Sequence, residues 1–337
     1  MYSNKKIKKR RLLITGANGF IGSFLVEEAI NSGFDVYAGI RKSSNTEYLQ
    51  NKEIKIIELD FENTTELKKS IKNAGGFDFI INIAGTTKTC DSGDFDYVNF
   101  ELSKNLIESL IETSMPLKYI QISSLAAYGP GDSKTLEPVR DSDIPKPVSF
   151  YGNSKLKLEN YIKSLDSFPY LIFRPTSVYG PRDKNFHIIY KSIKKGIETY
   201  IGTKEQHLSF VYVKDLVELL IEALNSGFEQ KAYFVSDLNK YTAEEFNQTI
   251  KNELNKNTFS VVFPKSIVKF VAWLNEKTSC LIHKRPSILN TDKYKEISQK
   301  NWLCDSTDLI IDFDYKPKYN LSRGIKETIE WYTKENF

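Results

Sequence analysis

The segment "RLLITGANGFIG", residues 11 to 22, joins a short apolar run to Gly16, Gly19 and Gly22, which are spaced for a turn that opens a helix. An apolar run of this length bounded by glycine reads as a strand buried on both faces. Because glycine has no side chain, the backbone of such a turn can approach a pyrophosphate lying at the positive end of the helix. Asn18, Phe20 and Ile21 lie in the same turn and belong to the same expected cradle. Gly33 ends the helical pattern of residues 22 to 33. Strand, turn and helix together separate a phosphate cradle from a merely structural tight turn.

Further apolar runs follow outward from this unit: "DVYAGI" (35 to 40), "IKIIELD" (54 to 60), "DFIINIAG" (78 to 85), "KYIQISS" (118 to 124) and "YLIFRP" (170 to 175). With helix-length segments between them, they describe an α/β chain with a Rossmann-type, doubly wound parallel sheet. After about residue 180 the rhythm changes, but "FVYVKDLVELLIEAL" (210 to 224) and "AYFVSD" (232 to 237) return to core-like patterning. The expected division is a nucleotide-binding domain of residues 1 to 180, rejoined by 210 to 239, with 181 to 209 and 240 to 337 mainly a smaller C-terminal substrate lobe. Sheets of this kind bind ligands beyond the carboxyl ends of their strands, so those ends hold the candidate site.

Composition removes several function classes. Of the 337 residues, 40% are hydrophobic and 27% charged, as in globular proteins. The 47 basic and 43 acidic residues leave a net charge of only +4, too balanced for nucleic acid binding by the chain as a whole. The basic cluster "KKIKKRR" (5 to 11) reads as a solvated lead-in to the first strand, the other reading being an arm for anionic lipid or nucleic acid. No apolar stretch reaches the roughly 20 residues of a membrane span, and the run after the cluster is too short for a secretory signal. Cys90, Cys280 and Cys304 are odd in number and widely spaced, which argues against a disulfide framework and for a reducing compartment, hence the cytoplasm. His187, His207 and His283 are scattered, and no metal site is expected.

The second strand ends "GIRKSS". Dinucleotide sites that take NAD place an acidic residue there to hold the ribose hydroxyls. Here Ile40 occupies that position, with Arg41 and Lys42 following. A carboxylate would repel a 2′-phosphate, whereas a guanidinium pairs with it, so NADP(H) is favoured over NAD(H). Asp60 and Phe61, ending the third strand, are expected to border the adenine.

"YGNSK" places Tyr151 and Lys155 four residues apart, on one face if the segment is helical. A neighbouring ammonium stabilises phenolate and lowers tyrosine from its reference pKa of about 10. Ser124, ending the fifth strand, can hydrogen-bond a substrate oxygen in the same crevice.

These residues together resemble the extended short-chain dehydrogenase/reductase family, also described as the NAD-dependent epimerase/dehydratase family. It contains nucleotide-sugar epimerases and dehydratases, dihydroflavonol-type reductases and 3β-hydroxysteroid dehydrogenases. The resemblance rests on "TGANGFIG", "NIAG", "VNFELSKNLIES", "SSLAAYG", "YGNSK", "FRPTSVYGPR", "FVYVKD" and "GIKETIEWY", spread over nearly the whole chain. It implies Tyr151 as general acid/base, Lys155 as its pKa-lowering partner and a ribose ligand, and Ser124 as the group polarising the carbonyl. It further implies Asn82, Ala84 and Gly85 along the middle of the cofactor, with Asn99 and Ser123 nearby, and Pro175, Thr176 and Ser177 beside the nicotinamide. Thr86, Tyr179 and Arg182 are the implied substrate contacts.

Dehydratases of that family carry an acidic pair after the active-site hydroxyl, but "LAAY" follows Ser124. The expectation is therefore an NADPH-dependent reductase of a hydrophobic ketone, 3-ketosphinganine or sterol-like, with a nucleotide-sugar epimerase or 4-ketoreductase as alternative. A non-catalytic NADP(H)-binding regulator is the alternative from a different class. The segment 259 to 297 contains an unusually apolar short helix around Val268, Phe270, Val271, Ala272, Trp273 and Leu274. It reads as a lid, a foot in peripheral contact with a membrane, or a helix packed on the lobe's own core. The resemblance also implies a homodimer through residues 99 to 112 and the helix carrying Tyr151, the other reading being burial of their apolar faces within one subunit; the substrate is expected to be a small molecule.

Overall fold

Seven parallel strands form the central sheet, in the order Lys231–Val235, Tyr170–Pro175, Lys118–Ile122, Phe79–Asn82, Arg11–Thr15, Asp35–Ile40 and Lys55–Glu58. In a computed structural model that describes residues 9–282 and 286–335, the first six strands are β1 (Arg11–Thr15), β2 (Asp35–Ile40), β3 (Lys55–Glu58), β4 (Phe79–Asn82), β5 (Lys118–Ile122) and β6 (Tyr170–Pro175). Residues 5 to 8 of the basic cluster, and His283, lie outside the described residues. After these come β7 (Ser177–Tyr179), β8 (Ile197–Ile201), β9 (His207–Leu208), β10 (Phe210–Tyr212) and β11 (Lys231–Val235), the seventh strand, which pairs with β6. β12 (Tyr241–Thr242), β13 (Phe259–Phe263) and β14 (Asn301–Trp302) belong, with β7 to β10, to small separate sheets.

The helices are α1 (Phe20–Asn31), α2 (Thr64–Ala74), α3 (Gly93–Asp96), α4 (Leu102–Thr113), α5 (Phe150–Lys163), α6 (Phe186–Lys194) and α7 (Val213–Leu224). The chain then forms α8 (Ala243–Glu253), α9 (Lys265–Ile282), α10 (Thr291–Ile297), α11 (Thr307–Phe313) and α12 (Leu321–Lys334). Because every strand of a parallel sheet is covered on both faces, its helices must bury two separate apolar layers. Leu25 of α1, Val217 and Leu220 of α7 and Phe313 of α11 fill one layer. Leu67 and Ile71 of α2, Leu106 and Leu110 of α4, and Leu158 and Ile162 of α5 fill the other. Each such side chain contributes about 1.5–3 kcal/mol by leaving water. A third cluster, with Tyr190, Phe210, Phe246, Ile325 and Tyr332, forms the core of the smaller lobe.

Within the segment expected to be mainly the smaller lobe, Leu309, Phe313 and Tyr315 pack in the main core and cover the sheet. Two expectations need correction. Arg11 is fastened instead of solvated: its backbone N–H donates to Asp78 at 2.7 Å and its guanidinium lies 4.7 Å from the Tyr37 ring centroid. Cys90 and Cys280 form a disulfide, Cα to Cα 5.6 Å, although 190 residues separate them. Spacing along the chain carries no information about two segments that the fold brings together, and the argument from unpaired cysteines for a reducing compartment falls with it.

Candidate functional site

The strand order reverses between β1 and β4, and sheets of this kind bind ligands beyond the carboxyl ends of the strands at such a point. Gly16 turns there with φ +65°, and a Cβ on it would stand 3.0 Å from the Ala84 backbone nitrogen. A Cβ on Gly22 would meet the Gly16 carbonyl oxygen at 2.2 Å, so α1 seats against the turn only because residue 22 is glycine. Gly19 is the N-cap of α1; no side chain bonds the first turn and no acidic residue sits in it. Its N–H groups and helix dipole are thus directed outward without a competing acceptor, beside the accessible Asn18, Phe20 and Ile21. This turn fits a dinucleotide pyrophosphate.

Arg41 and Lys42 stand exposed beyond β2, where the Arg41 N–H donates to Ser44 Oγ at 3.2 Å. Asp60 is exposed beyond β3 and accepts from the N–H groups of Glu62 and Asn63. Phe61 differs from expectation: it is buried in the core layer of α2 and α4, where aromatic surface gains more than at an open nucleotide edge.

Asn82 is also inside. Its amide donates to Ser103 (3.2 Å) and Gln121 (2.9 Å), and its carbonyl accepts from Thr15. With both its amide nitrogen and its side-chain oxygen engaged, Asn82 locks β1, β4 and β5 together. The Ser123 hydroxyl is likewise spent on the buried Glu159. Ala84 lies against Gly16, its N–H donating to Thr15 at 3.3 Å. Gly85 borders the next group: a Cβ there would come 2.8 Å from Asn99 Oδ1 and 3.4 Å from Lys155 Nζ.

Asn99 lies in a π-helical turn (Tyr97–Glu101) before α4. Its Oδ1 accepts from the Thr86 N–H at 2.7 Å, while its Nδ2 donates to the Thr86 carbonyl and to Ser154 Oγ, both at 3.0 Å. Asn99 therefore holds the loop after β4 against the helix that carries Tyr151. Thr86, partly exposed, closes that loop through Oγ1 to the Lys88 carbonyl.

Ser149 caps α5, accepting from the Gly152 N–H at 3.0 Å, so the helical register expected for Tyr151 and Lys155 is present. Lys155 Nζ donates to the Ile122 carbonyl at 3.1 Å and lies 5.9 Å from the Tyr151 ring centroid. Burial pushes the Lys155 ammonium down to about 8, with Glu159 opposing the fall. The tyrosine departs from expectation: burial first, and the Glu296 carboxylate second, hold its pKa above the ordinary value, while the Ser124 hydroxyl pulls it down. Ser124 thus faces the phenol, and its Oγ also accepts from the Ala126 N–H at 3.1 Å. Pro175 and Thr176 follow at the end of β6, where Thr176 donates through N and Oγ1 to the Val235 carbonyl; Ser177 is exposed.

Two expected substrate contacts point elsewhere. Tyr179 is buried in the smaller lobe's core against Phe210 and Tyr212, because an aromatic ring of its size completes that cluster. Arg182 turns back to α1, pairing with Glu27 at 2.7 Å and Ser23 at 3.0 Å across the faces of Phe24 and Tyr48.

Sequence reasoning missed two groups. Asp292 on α10 accepts from the N–H groups of Phe150 (2.7 Å) and Tyr151 (3.2 Å), and Glu296 accepts from the Ser149 hydroxyl at 2.7 Å. Their four-residue spacing was visible; their partners, more than 140 positions earlier, were not. The second group is Arg174, fully buried, which donates to Glu159 through Nε and Nη2 (2.8 Å) and to Asp141 through Nη1. From β6 it ties that strand to α5, the helix carrying Tyr151.

A glycine turn at the switch point that fits a pyrophosphate, with a serine, a tyrosine and a lysine held close together beside it, suits an oxidoreductase that binds a nicotinamide dinucleotide. The chain belongs to the NAD dependent epimerase/dehydratase family, whose model matches residues 12–236, and is an enzyme of the extended short-chain dehydrogenase/reductase type. It is 24% identical to a UDP-glucose 4-epimerase of Vibrio cholerae, over 97% of each chain. It is 22% identical to a ceramide reductase of Caulobacter vibrioides, over 95% of this chain and 93% of that one. The structure of a UDP-glucose 4-epimerase from Thermotoga maritima with UDP-glucose superposes with a TM-score of 0.79 at 21% identity, covering 97% and 100% of the two chains.

Proposed function

We propose that the protein is an NADPH-dependent reductase of a ketone on a hydrophobic, lipid-like molecule, of the 3-ketosphinganine or sterol kind. The observation that carries the reductase reading is the short turn after Ser124. Leu125, Ala126 and Ala127 are buried there, so the residues that follow Ser124 supply no carboxylate to drive dehydration. The exposed Arg41 and Lys42 support a cofactor with a 2′-phosphate, and the likeness to a ceramide reductase supports a lipid-like substrate.

Bound NADPH supplies a hydride to the carbonyl carbon. Ser124 donates a hydrogen bond to the carbonyl oxygen and orients it. Tyr151, kept protonated by its burial, gives its proton to that oxygen as negative charge develops on it. The Lys155 ammonium then steadies the phenolate left behind, so its stabilising effect appears when it is needed. The Gly16 to Gly22 turn holds the pyrophosphate, and Asn99 keeps the loop bearing Gly85 and Thr86 in place. A homodimer and peripheral contact with membranes complete the reading.

Nucleotide affinities test the cofactor. Wild type should prefer NADPH over NADH by about a hundredfold, near 2.7 kcal/mol, and Arg41→Ala should erase most of that preference. Tyr151→Phe should reduce turnover of long-chain ketones by about 10²–10⁴-fold with nucleotide binding unchanged. A second reading, sugar 4-epimerase or 4-ketoreductase, is favoured by the full-length likeness to UDP-glucose 4-epimerases. NAD that co-purifies with the protein and persists on dialysis would select it.

A further inference from the structure

We propose that α9, together with the end of β13, docks on the surface of an anionic lipid bilayer. A soluble domain normally turns the apolar stripe of a helix inward. In α9 the inward positions are few: Val268 and Ala272 are buried. Ile267, Phe270, Val271, Trp273, Leu274 and Leu281, most of them on the opposite stripe, are instead 39% to 78% exposed. Phe259, Val262 and Phe263 of β13 are exposed as well and lead into the helix through Pro264. An apolar surface this continuous on a folded chain marks a place of contact.

Charge decides what it contacts. Lys265, Lys269 and Lys277 are exposed on the helix. Its one acidic residue, Glu276, is turned to the protein, accepting from the N–H and hydroxyl of Thr291 at 2.8 and 2.5 Å. The outer surface is therefore both greasy and cationic, which suits acyl chains beneath anionic headgroups. The Phe270 and Trp273 rings, stacked with centroids 6.0 Å apart, are of the kind that settles at that boundary. Among the described residues no helix is long and apolar enough to cross a membrane, so the contact is one of lying on the surface. The far end of α9 is tied through Cys280 to Cys90, four residues beyond Thr86. The docked helix is thus anchored to the loop that borders the catalytic group. This names the surface and the lipid class for the peripheral contact above, and it stands whether the substrate is a lipid or a sugar.

The test is co-sedimentation of the intact protein with vesicles, with no nucleotide or ketone present, so that it fails independently of the reductase reading. Equimolar phosphatidylcholine and phosphatidylglycerol vesicles should carry the protein down, and pure phosphatidylcholine vesicles much less. Lys269→Gln and Lys277→Gln should each weaken partitioning about fivefold, and added salt should mimic them. The double variant Phe270→Ser/Trp273→Ser should abolish binding while its far-ultraviolet circular dichroism matches wild type. Protein that stays in the supernatant with both vesicles, or binding indifferent to the double variant, overturns the proposal. So does a dimer without vesicle binding that the double variant splits, which would assign the face to a second copy of the chain.

Discussion

The carboxylate of Asp292 accepts a hydrogen bond from the backbone N–H of Tyr151, 3.2 Å away, and thereby joins the C-terminal segment to the first turn of α5. The second oxygen takes the Phe150 N–H at 2.7 Å. A buried carboxylate at a helix N-terminus satisfies donors that have no intrahelical partner and complements the dipole.

These contacts lead us to expect that Asp292 acts as a positioning residue. Asp292→Ala should destabilise the protein by about 1–3 kcal/mol and lower kcat more than it raises KM, because the phenol shifts relative to Ser124. Asp292→Asn, which keeps an acceptor, should recover part of kcat. Steady-state kinetics and thermal melting of the two variants check this. Equal kcat in wild type and Asp292→Ala would reduce the contact to a packing detail.

The pH dependence of stability follows from Lys155, pushed from its ordinary 10.5 down to about 8 by burial. Between these values the unfolded chain binds a proton that the folded protein does not, so stability rises with pH from about 8 towards 10.5. Below 8 the buried ammonium is charged and its penalty is fully present. The change attributable to this one group is up to about 3 kcal/mol. Melting curves of the nucleotide-free protein between pH 8 and 10 should show the rise, and Lys155→Met should flatten it.

Arg174 and Glu159 are both fully buried, bonded through Nε and Nη2 of the guanidinium. Removing one partner strands the other in a medium that cannot solvate it, at about 3–5 kcal/mol. Arg174→Met should therefore be severely destabilised, and the double variant Arg174→Met/Glu159→Met distinctly less so. Urea denaturation of the four proteins in this cycle measures the coupling; additive losses would contradict it.

The Cys90–Cys280 bond closes a long loop and restricts the unfolded chain, a stabilisation of about 2–4 kcal/mol. Cys280→Ser should lower the melting temperature and make the exposed Cys90 reactive towards a thiol reagent in the native protein, whereas wild type should give no labelling at that position. Mass spectrometry of alkylated peptides reads the outcome.

Local pattern was enough to find all six of the first strands, the glycine turn, and the helix that puts Tyr151 and Lys155 on one face, since each depends on side-chain period or backbone freedom within a few residues. It was enough, too, to bring 232 to 237 back to the main sheet, where β11 lies beside β6. It failed wherever a polar or aromatic residue could serve either a ligand or the protein itself. Asn82, Ser123, Phe61, Tyr179 and Arg182 have the right chemistry at the right place in the chain, but neighbours far away in sequence have taken their hydrogen bonds or buried their rings.

From sequence alone came the class of fold, the glycine turn at the end of the first strand and the helical register that sets Tyr151 and Lys155 on one face, because these are set by residues adjacent on one strand end or one helix face. Tertiary structure alone decided what surrounds them. It set Asp292 and Glu296 at the head of α5, Arg174 against Glu159 of that helix, and Cys90 against Cys280. It also left the apolar stripe of α9 facing outward. Burial and charge pairing between distant segments are properties of packing, and no local period in the chain encodes them.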